Sequence, residues 1–74
     1  MIRELDRVVL AKDQRDLGLE AGDLGTVVLV HEGGRGFEVE FLTLDGETYA
    51  MTTLMADELR PIDRHEIAHA RAVA

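Results

Sequence analysis

Short apolar runs alternate with polar, glycine-containing segments along most of this chain. Runs rich in β-branched and aromatic residues are typical of strands, and here they predict strands over residues 8–11, 26–30, 37–41 and 48–53. The run at 37–41 alternates strictly, so we expect its apolar side chains to face a core and Glu38 and Glu40 to face outward. The run at 26–30 is continuously apolar, which predicts a strand covered on both faces for part of its length.

The segments between these runs carry the residues that turns need. An Asp-Gly pair at 45–46 lies between two strand-like runs and predicts a tight hairpin. The glycine-rich segment 32–36 predicts another reversal of the chain, because glycine adopts positive φ at little steric cost. Residues 14–23 predict a longer loop, in which Leu17 and Leu19 are expected to turn inward as anchors.

The C-terminal third predicts a final strand and a separate tail. Residues 56–59 have the composition of a single helical turn, and Pro61 stops any extension of it. Residues 59–62 then form a short edge strand, where Pro is tolerated. Residues 63–74 have helix-forming composition without a strong apolar stripe, so we expect a short helix or a flexible tail there. The order of elements predicts an all-β domain at 1–62, a small five-stranded barrel with an open three- or four-stranded meander as the alternative.

The composition narrows the function. The chain has 15 acidic and 8 basic side chains and a formal net charge of −7, a surface that repels phosphate backbones and suits a basic protein partner. It has no Cys and no Ser, so the common acyl-transfer nucleophiles and thiolate metal ligands are absent. We therefore expect a binding protein that is not an enzyme and needs no cofactor. No apolar run approaches the ~20 residues that span a bilayer, and no signal-peptide-like stretch opens the chain, so we expect a cytoplasmic protein.

One short motif suggests a metal site. His65-Glu66-Ile67-Ala68-His69 has the H-E-x-x-H spacing, and on a helix both imidazoles would share a face with Glu66 as general base. A catalytic zinc usually needs a third protein ligand and a walled cleft. Residues 70–74 offer no customary ligand. His65 and His69 are therefore weak candidate ligands, and we predict no metal site.

Segments 6–10, 17–28, 37–41, 45–48 and 59–61 carry a resemblance when they are taken together. They are similar to a family of small bacterial proteins of unknown function with an SH3-like barrel, and the similarity covers roughly Leu5 to Ile62. The resemblance implies an SH3-like barrel with one helical turn before its last strand. It also implies a role as an antitoxin-like or accessory partner of a larger protein, and it supplies no catalytic or binding residues.

Residues 21–28 also resemble the core of the KOW motif of ribosomal and transcription-factor barrels, whose basic and aromatic residues meet RNA or a protein. Here Glu20 and Asp23 flank the turn and few cations lie nearby. A KOW-type nucleic-acid-binding barrel is therefore the alternative function, and a minimal H-E-x-x-H metalloprotein ranks below it. The alternative requires a local basic patch, built from Arg7, Lys12, Arg15 and Arg35.

Loops on a rigid barrel commonly carry binding, so we expect a protein partner to meet the 14–23 loop, the glycine hairpin and the outward strand face. The candidate residues are Leu17, Leu19 and Asp23 in the loop, Arg35 at the hairpin tip, and Glu38 and Glu40 on the strand. The two glutamates suit a basic partner because they steer and contact cations. Homo-oligomerisation through an edge strand or the C-terminal segment is compatible with each of these functions.

Overall fold

The computed structural model describes residues 1–73. Its strands are β1 (Arg7–Leu10), β2 (Leu24–His31), β3 (Gly36–Leu42), β4 (Thr48–Met55) and β5 (Leu59–Pro61). Two single 3₁₀ turns, at Arg15–Leu17 and Ala56–Glu58, complete the regular structure of the described part of the chain, which contains no α-helix. The all-β prediction is confirmed, including the single turn that precedes the last strand.

The strands form one antiparallel sheet in the order β4-β3-β2-β1-β5. Strands β1 to β4 follow one another as a meander, and β5 returns to pair with β1, so that Leu10 lies opposite Leu59. The sheet is open, because no ladder joins β4 to β5 within residues 1–73. The 3₁₀ turn at Ala56–Glu58 links these two edges instead.

One face of the sheet encloses the core. Its buried cluster takes side chains from all five strands and one from the 14–23 loop: Val8, Leu10, Leu19, Val27, Phe37, Val39, Phe41, Leu54 and Leu59. The alternation predicted for β3 is confirmed, because Phe37, Val39 and Phe41 are buried while the glutamates between them face outward. Burial of each such apolar side chain stabilises the fold by roughly 1.5–3 kcal/mol.

A β-bulge explains the continuous apolar run in β2. The register against β3 shifts between Val27 and Leu29, which inserts one extra residue into β2. The side chains therefore change face at this point: Val27 is fully buried, whereas Leu29 is 43% exposed. The run is continuously apolar because the alternation between inward and outward side chains shifts by one residue at the bulge. The prediction that this strand is covered on both faces is wrong, since Leu29 is exposed on the outer face.

A second register shift, between β3 and β4, places Tyr49 and Met51 on opposite faces of the sheet, although plain alternation would place them on the same face. The register shifts between Phe41 and Leu42, so Ala50 pairs with Phe41 and Thr48 with Leu42. Tyr49 falls between these pairs and packs against the core. Met51 lies opposite Glu40 on the outer face and is 50% exposed.

The two edges of the sheet differ in composition. Strand β4 has eight residues, none of them charged and none Pro or Gly. Strand β5 has three residues, two of which are Arg60 and Pro61. Charge, Pro and short length are the usual means of protecting an edge from further pairing. The β5 edge has all three, and the β4 edge has none.

Residues 63–73 follow the tail alternative, and the helical alternative is wrong for them. A local turn forms at their start, where Glu66 accepts hydrogen bonds from the backbone N–H of Asp63 and from the Arg60 guanidinium. The part of this prediction that concerns residue 74 lies outside the described residues. No helix in the described part of the chain is both long and apolar enough to cross a membrane.

Candidate functional site

The outer face of the sheet carries two fixed carboxylates on β3. Glu38 accepts a hydrogen bond from Thr53 Oγ1 at 2.8 Å and lies 2.9 Å from His31 Nε2. Glu40 accepts one from Thr48 Oγ1 at 2.5 Å. Their partners come from the neighbouring strands β2 and β4, so the sheet itself determines where both carboxylates point.

Glu38 is ionised well below neutral pH. The hydrogen bond with His31 lowers the pKa of Glu38, and the bond from Thr53 lowers it further, while partial burial acts in the opposite direction. The carboxylate therefore presents a full negative charge under physiological conditions. Because its bonded oxygen is Oε2 in both contacts, Oε1 stays available to a cation that approaches from outside.

Apolar side chains border these carboxylates. The register places Leu29 opposite Glu38 and Met51 opposite Glu40, on the same outer face. Leu29, Leu42, Met51 and Met55 are each between 43% and 53% exposed. We define the acidic face as Glu38 and Glu40 together with these four residues. Exposed apolar groups beside charge mark a surface that another protein can cover.

The 14–23 loop is ordered by its own hydrogen bonds. Gln14 and Leu19 form an isolated bridge, and Asp13 accepts a hydrogen bond from the backbone N–H of Ala21 at 2.8 Å. The predicted anchoring holds for Leu19, which is 3% exposed and belongs to the core, whereas Leu17 is 39% exposed. Of these two candidate contacts, Leu17 is the one that the loop presents to solvent.

Asp23 and the C-terminal tail form a clasp. The Arg71 guanidinium donates to both oxygens of Asp23, from Nε at 2.9 Å and from Nη2 at 2.7 Å, and Nη2 also donates to the Gly18 carbonyl at 2.9 Å. Glu20 Oε2 lies 3.6 Å from Nη1. We call the group formed by Gly18, Glu20 and Asp23 the arginine notch.

The backbone at Gly18 shapes this notch. Gly18 has φ 69°, and a Cβ added there would clash with the Tyr49 hydroxyl. That hydroxyl donates to the same Gly18 carbonyl at 3.4 Å. Glycine is therefore required both by the left-handed conformation and by the close approach of Tyr49. Asp23 is held in turn by the Glu20 backbone N–H, which donates to Oδ2 at 2.8 Å.

An open groove of about 780 Å³ runs beside the notch, between the sheet and the tail. The sheet side of the groove includes Leu42, Leu44 and Tyr49, and the tail side includes Ala68 and Ala70. Glu40 and Asp23 both line the groove. The groove thus connects the acidic face to the arginine notch.

The clasp makes tail docking depend on pH. Hydrogen bonds from Arg71 lower the pKa of Asp23 below 3.8, and partial burial opposes this. A carboxyl with a lower pKa in the docked state stabilises docking at pH values above its ordinary pKa, and the stabilisation is lost as the pH falls through the lowered value. We expect the tail to be docked at neutral pH, to loosen as the pH falls below about 4 and to be released once the pH has passed through the lowered pKa of Asp23, as measured by the NMR shifts of the Arg71 side chain and the tail amides.

The Asp23→Asn variant is the control for this titration. It keeps a similar side-chain volume without the charge, so its tail resonances should match the released state at every pH. Tail shifts in the wild type that stay unchanged after the Asp23 carboxyl has become protonated, while core amides such as Val39 also stay unchanged, would contradict the role of Asp23.

The remaining candidates lie apart from these surfaces. Arg35 lies in the exposed turn between β2 and β3. Arg7 begins β1, whereas Lys12 follows its end and pairs with Asp57 at 3.0 Å. Arg15 begins the first 3₁₀ turn. The cations that the nucleic-acid alternative needs are thus spread over both ends of β1, a loop and a hairpin tip.

The H-E-x-x-H segment has no helix to bring its imidazoles onto one face. Hydrogen bonds from Arg60 lower the pKa of Glu66 to about 2, which leaves it a weak base at neutral pH. Within residues 1–73, no group of three His, Asp or Glu side chains is placed to hold a metal ion. His65 and His69 are both exposed.

A comparison with known protein families finds a match for this chain. The profile of a family described as a domain of unknown function (DUF4926) matches residues 4–61. The chain belongs to this family. No curated protein and no solved structure shows a significant match. The expected membership of a family of unknown function is therefore confirmed, and the matched DUF4926 region contains both the acidic face and the arginine notch.

The tail contact with Asp23 was not predicted from the sequence. Arg71 and Asp23 are 48 positions apart, and Arg71 lies outside the DUF4926 match. A cation among alanines near the C-terminus has no local pattern that indicates a partner so distant in sequence. Asp23 was expected to contact another protein, and in this conformation its carboxylate contacts Arg71.

Proposed function

We propose that this chain is a non-catalytic protein-interaction module, an accessory or antitoxin-like subunit that binds a basic protein through its acidic face. The observation that carries the proposal is the pair of carboxylates on β3, fixed by hydrogen bonds from adjacent strands and bordered by exposed Leu and Met side chains. A surface of this kind offers both an anion for steering and an apolar area for burial.

The fixed geometry of the carboxylates supports binding over solvation alone. A side chain already held in place loses less entropy when a partner binds, so more of the interaction energy appears as affinity. The net charge of −7 adds long-range attraction for a basic partner and speeds association. Methionine at two of the bordering positions suits contact with irregular surfaces, because its side chain adapts its shape.

The strand order and the turn before β5 are consistent with the SH3-like architecture that the sequence suggests. Architecture alone does not define a function, so the proposal depends on the acidic face. The alternative, a KOW-type nucleic-acid-binding barrel, gains no support from the dispersed positions of Arg7, Lys12, Arg15 and Arg35. It is one outcome of the experiment below.

The experiment compares two variants of equal net charge in affinity capture from lysate of the source organism. Glu38→Gln/Glu40→Gln removes both charges of the acidic face, and the matched control Glu4→Gln/Asp57→Asn removes two exposed charges outside both the acidic face and the 14–23 loop. We expect a protein bound by the wild type to be recovered at least about fivefold less with the first variant and unchanged with the control, since exposed ion pairs contribute up to about 1 kcal/mol each.

Parallel captures from lysate treated with nuclease or with chelator distinguish the protein-binding function from the nucleic-acid-binding alternative. A protein partner that survives nuclease and chelator treatment, and that weakens with added salt, supports the proposal. Recovery of nucleic acid alone supports the KOW-type alternative. Equal recovery of the partner by both double variants shows that the acidic face is not the binding surface.

A further inference from the structure

Beyond the contact between Arg60 and Glu66 at its start, the tail is held to the domain chiefly by one side chain. Of residues 62–73, Arg71 alone is not exposed. The backbone of this segment makes three hydrogen bonds among the described residues, from Glu66 N–H to the Asp63 carbonyl, from Asp63 N–H to Glu66 Oε1 and from His65 N–H to Asp63 Oδ1, and all three are internal to it. A contact of this kind can open without disturbing the sheet.

The arginine notch matches a guanidinium group specifically. It supplies two carboxylate oxygens of Asp23 in line with Nε and Nη2, a carbonyl from Gly18, and a second carboxylate from Glu20 near Nη1. A planar guanidinium with five N–H donors can use all of these acceptors together, whereas a lysine ammonium cannot form the paired contact with Asp23.

The notch is part of the family domain, and its present occupant is not. Gly18, Glu20 and Asp23 lie inside the region 4–61 that matches DUF4926, and Arg71 lies outside it. Nothing in the fold of the domain requires Arg71, because the core cluster contains no tail residue. The receptor is thus built by the domain, and the tail is one ligand that fits it.

We propose that the arginine notch is a binding site for an arginine in an extended, small-residue segment of a protein partner, and that the tail occupies this site until the partner displaces it. The inference rests on the proposed function, because it assumes that the partner is a protein. The occupant follows from charge complementarity and from the occupant already present, in which Ala70 and Ala72 flank the arginine.

The groove extends this site toward the acidic face. Glu40 and Asp23 line the same groove, so a segment with two cations can place one in the notch and the other at Glu40. The tail competes with such a segment at an effective concentration in the millimolar range, as tethered ligands do. Removal of the tail contact should therefore strengthen the binding of an external arginine peptide.

The test uses the full-length chain and a capped peptide with the sequence of residues 68–73, Ala-His-Ala-Arg-Ala-Val. Binding is followed by NMR shifts of the Gly18, Asp23 and Tyr49 amides. We expect the peptide to bind Arg71→Ala at least about tenfold more tightly than the wild type, because the notch is then empty of its tethered competitor. The matched control Arg64→Ala removes a tail arginine that has no ion pair with residues 1–73, and it should bind as the wild type does.

Two further comparisons define the ligand. A peptide with Lys in place of Arg should bind Arg71→Ala at least about tenfold more weakly, and Asp23→Asn/Arg71→Ala should bind neither peptide. Equal affinity for the Arg and Lys peptides, or equal affinity of wild type and Arg71→Ala, overturns the proposal. Dimerisation of the wild type that is lost in Arg71→Ala, seen by analytical ultracentrifugation, also overturns it, since the notch then receives the tail of a second copy.

The outcome is separable from that of the proposed function. If the arginine peptide fails to bind while the acidic face still governs capture of a protein partner, the notch is a structural clasp and the interaction module stands. If the peptide binds the notch and capture is indifferent to Glu38 and Glu40, the arginine site stands and the acidic face does not. The core amides of each variant, monitored in the same spectra, verify that the domain is folded.

Discussion

Phe41→Ala is expected to leave a large fraction of the chain unfolded at 25 °C. Phe41 is 3% exposed and belongs to the core cluster, where its ring lies against the backbone of Gly25 on β2. Truncation of a buried Phe to Ala costs about 3–5 kcal/mol. A single core in a domain of this size rarely supplies more than about 3–5 kcal/mol in total, so the loss is comparable with the whole stability. Urea titration followed by far-UV circular dichroism measures it.

Leu42→Ala is the matched control for this variant. Leu42 is the next residue on β3, but it faces outward and is 48% exposed. Its truncation should change the free energy of unfolding by less than about 0.5 kcal/mol. A comparable loss in both variants would show that the two faces of β3 are assigned wrongly, because only one of two adjacent strand residues can face the core.

Gly25→Val is expected to destabilise the domain by about 3 kcal/mol or more. Valine is favoured in strands, so propensity alone predicts the opposite. A Cβ at position 25, however, would lie 2.5 Å from Val39 Cγ1 and 3.0 Å from the Phe41 ring. Both neighbours are core side chains, with Val39 0% and Phe41 3% exposed, so a shift of either would disturb close packing. The midpoint of thermal or urea unfolding measures the effect.

Thr26→Val serves as the control, because residue 26 precedes the bulge on the outer face, opposite Glu40. This change has the same strand-favouring character without the core contact, and we expect it to be neutral within about 0.5 kcal/mol. Equal stability of Gly25→Val and the wild type would show that Val39 and Phe41 do not pack closely against Gly25.

Much of the fold follows from local pattern. Strict alternation in β3, the Asp-Gly pair before β4 and the proline in β5 each indicate an element that the structure contains, within a few residues of the predicted bounds. These signals are strong because side chains in a strand alternate between two faces and because few residues accept turn conformations. The predicted turn before β5 follows from the same reasoning about Pro61.

Other features depend on contacts that local pattern does not encode. The bulge at Val27/Leu29 changes which face an apolar residue takes, and a run such as Val27-Val28-Leu29-Val30 contains no polar residue to indicate the change. The tail composition favours a helix, but residues 63–73 form none, since they have no apolar stripe to pack against the sheet.

The candidate site divides in the same way. The outward position of Glu38 and Glu40 follows from alternation, and their placement on one face is confirmed by the strand register. The hydrogen bonds that fix them come from His31, Thr48 and Thr53, whose proximity depends on the pairing of three strands. For Leu19 the sequence leaves two roles open, because a leucine in a polar loop can either anchor the loop in the core or contact a partner. In the structure it is buried in the core.

The uncharged β4 edge has a consequence for the behaviour of the protein in concentrated solution. An eight-residue strand with free backbone groups on one side is a template for another strand. Neither residue type nor length blocks this pairing, so mutual repulsion between molecules of net charge −7 becomes the main barrier to it. Colloidal stability therefore depends on charge held elsewhere on the surface. Conditions that neutralise or screen the carboxylates weaken this repulsion and allow the β4 edges of two molecules to pair.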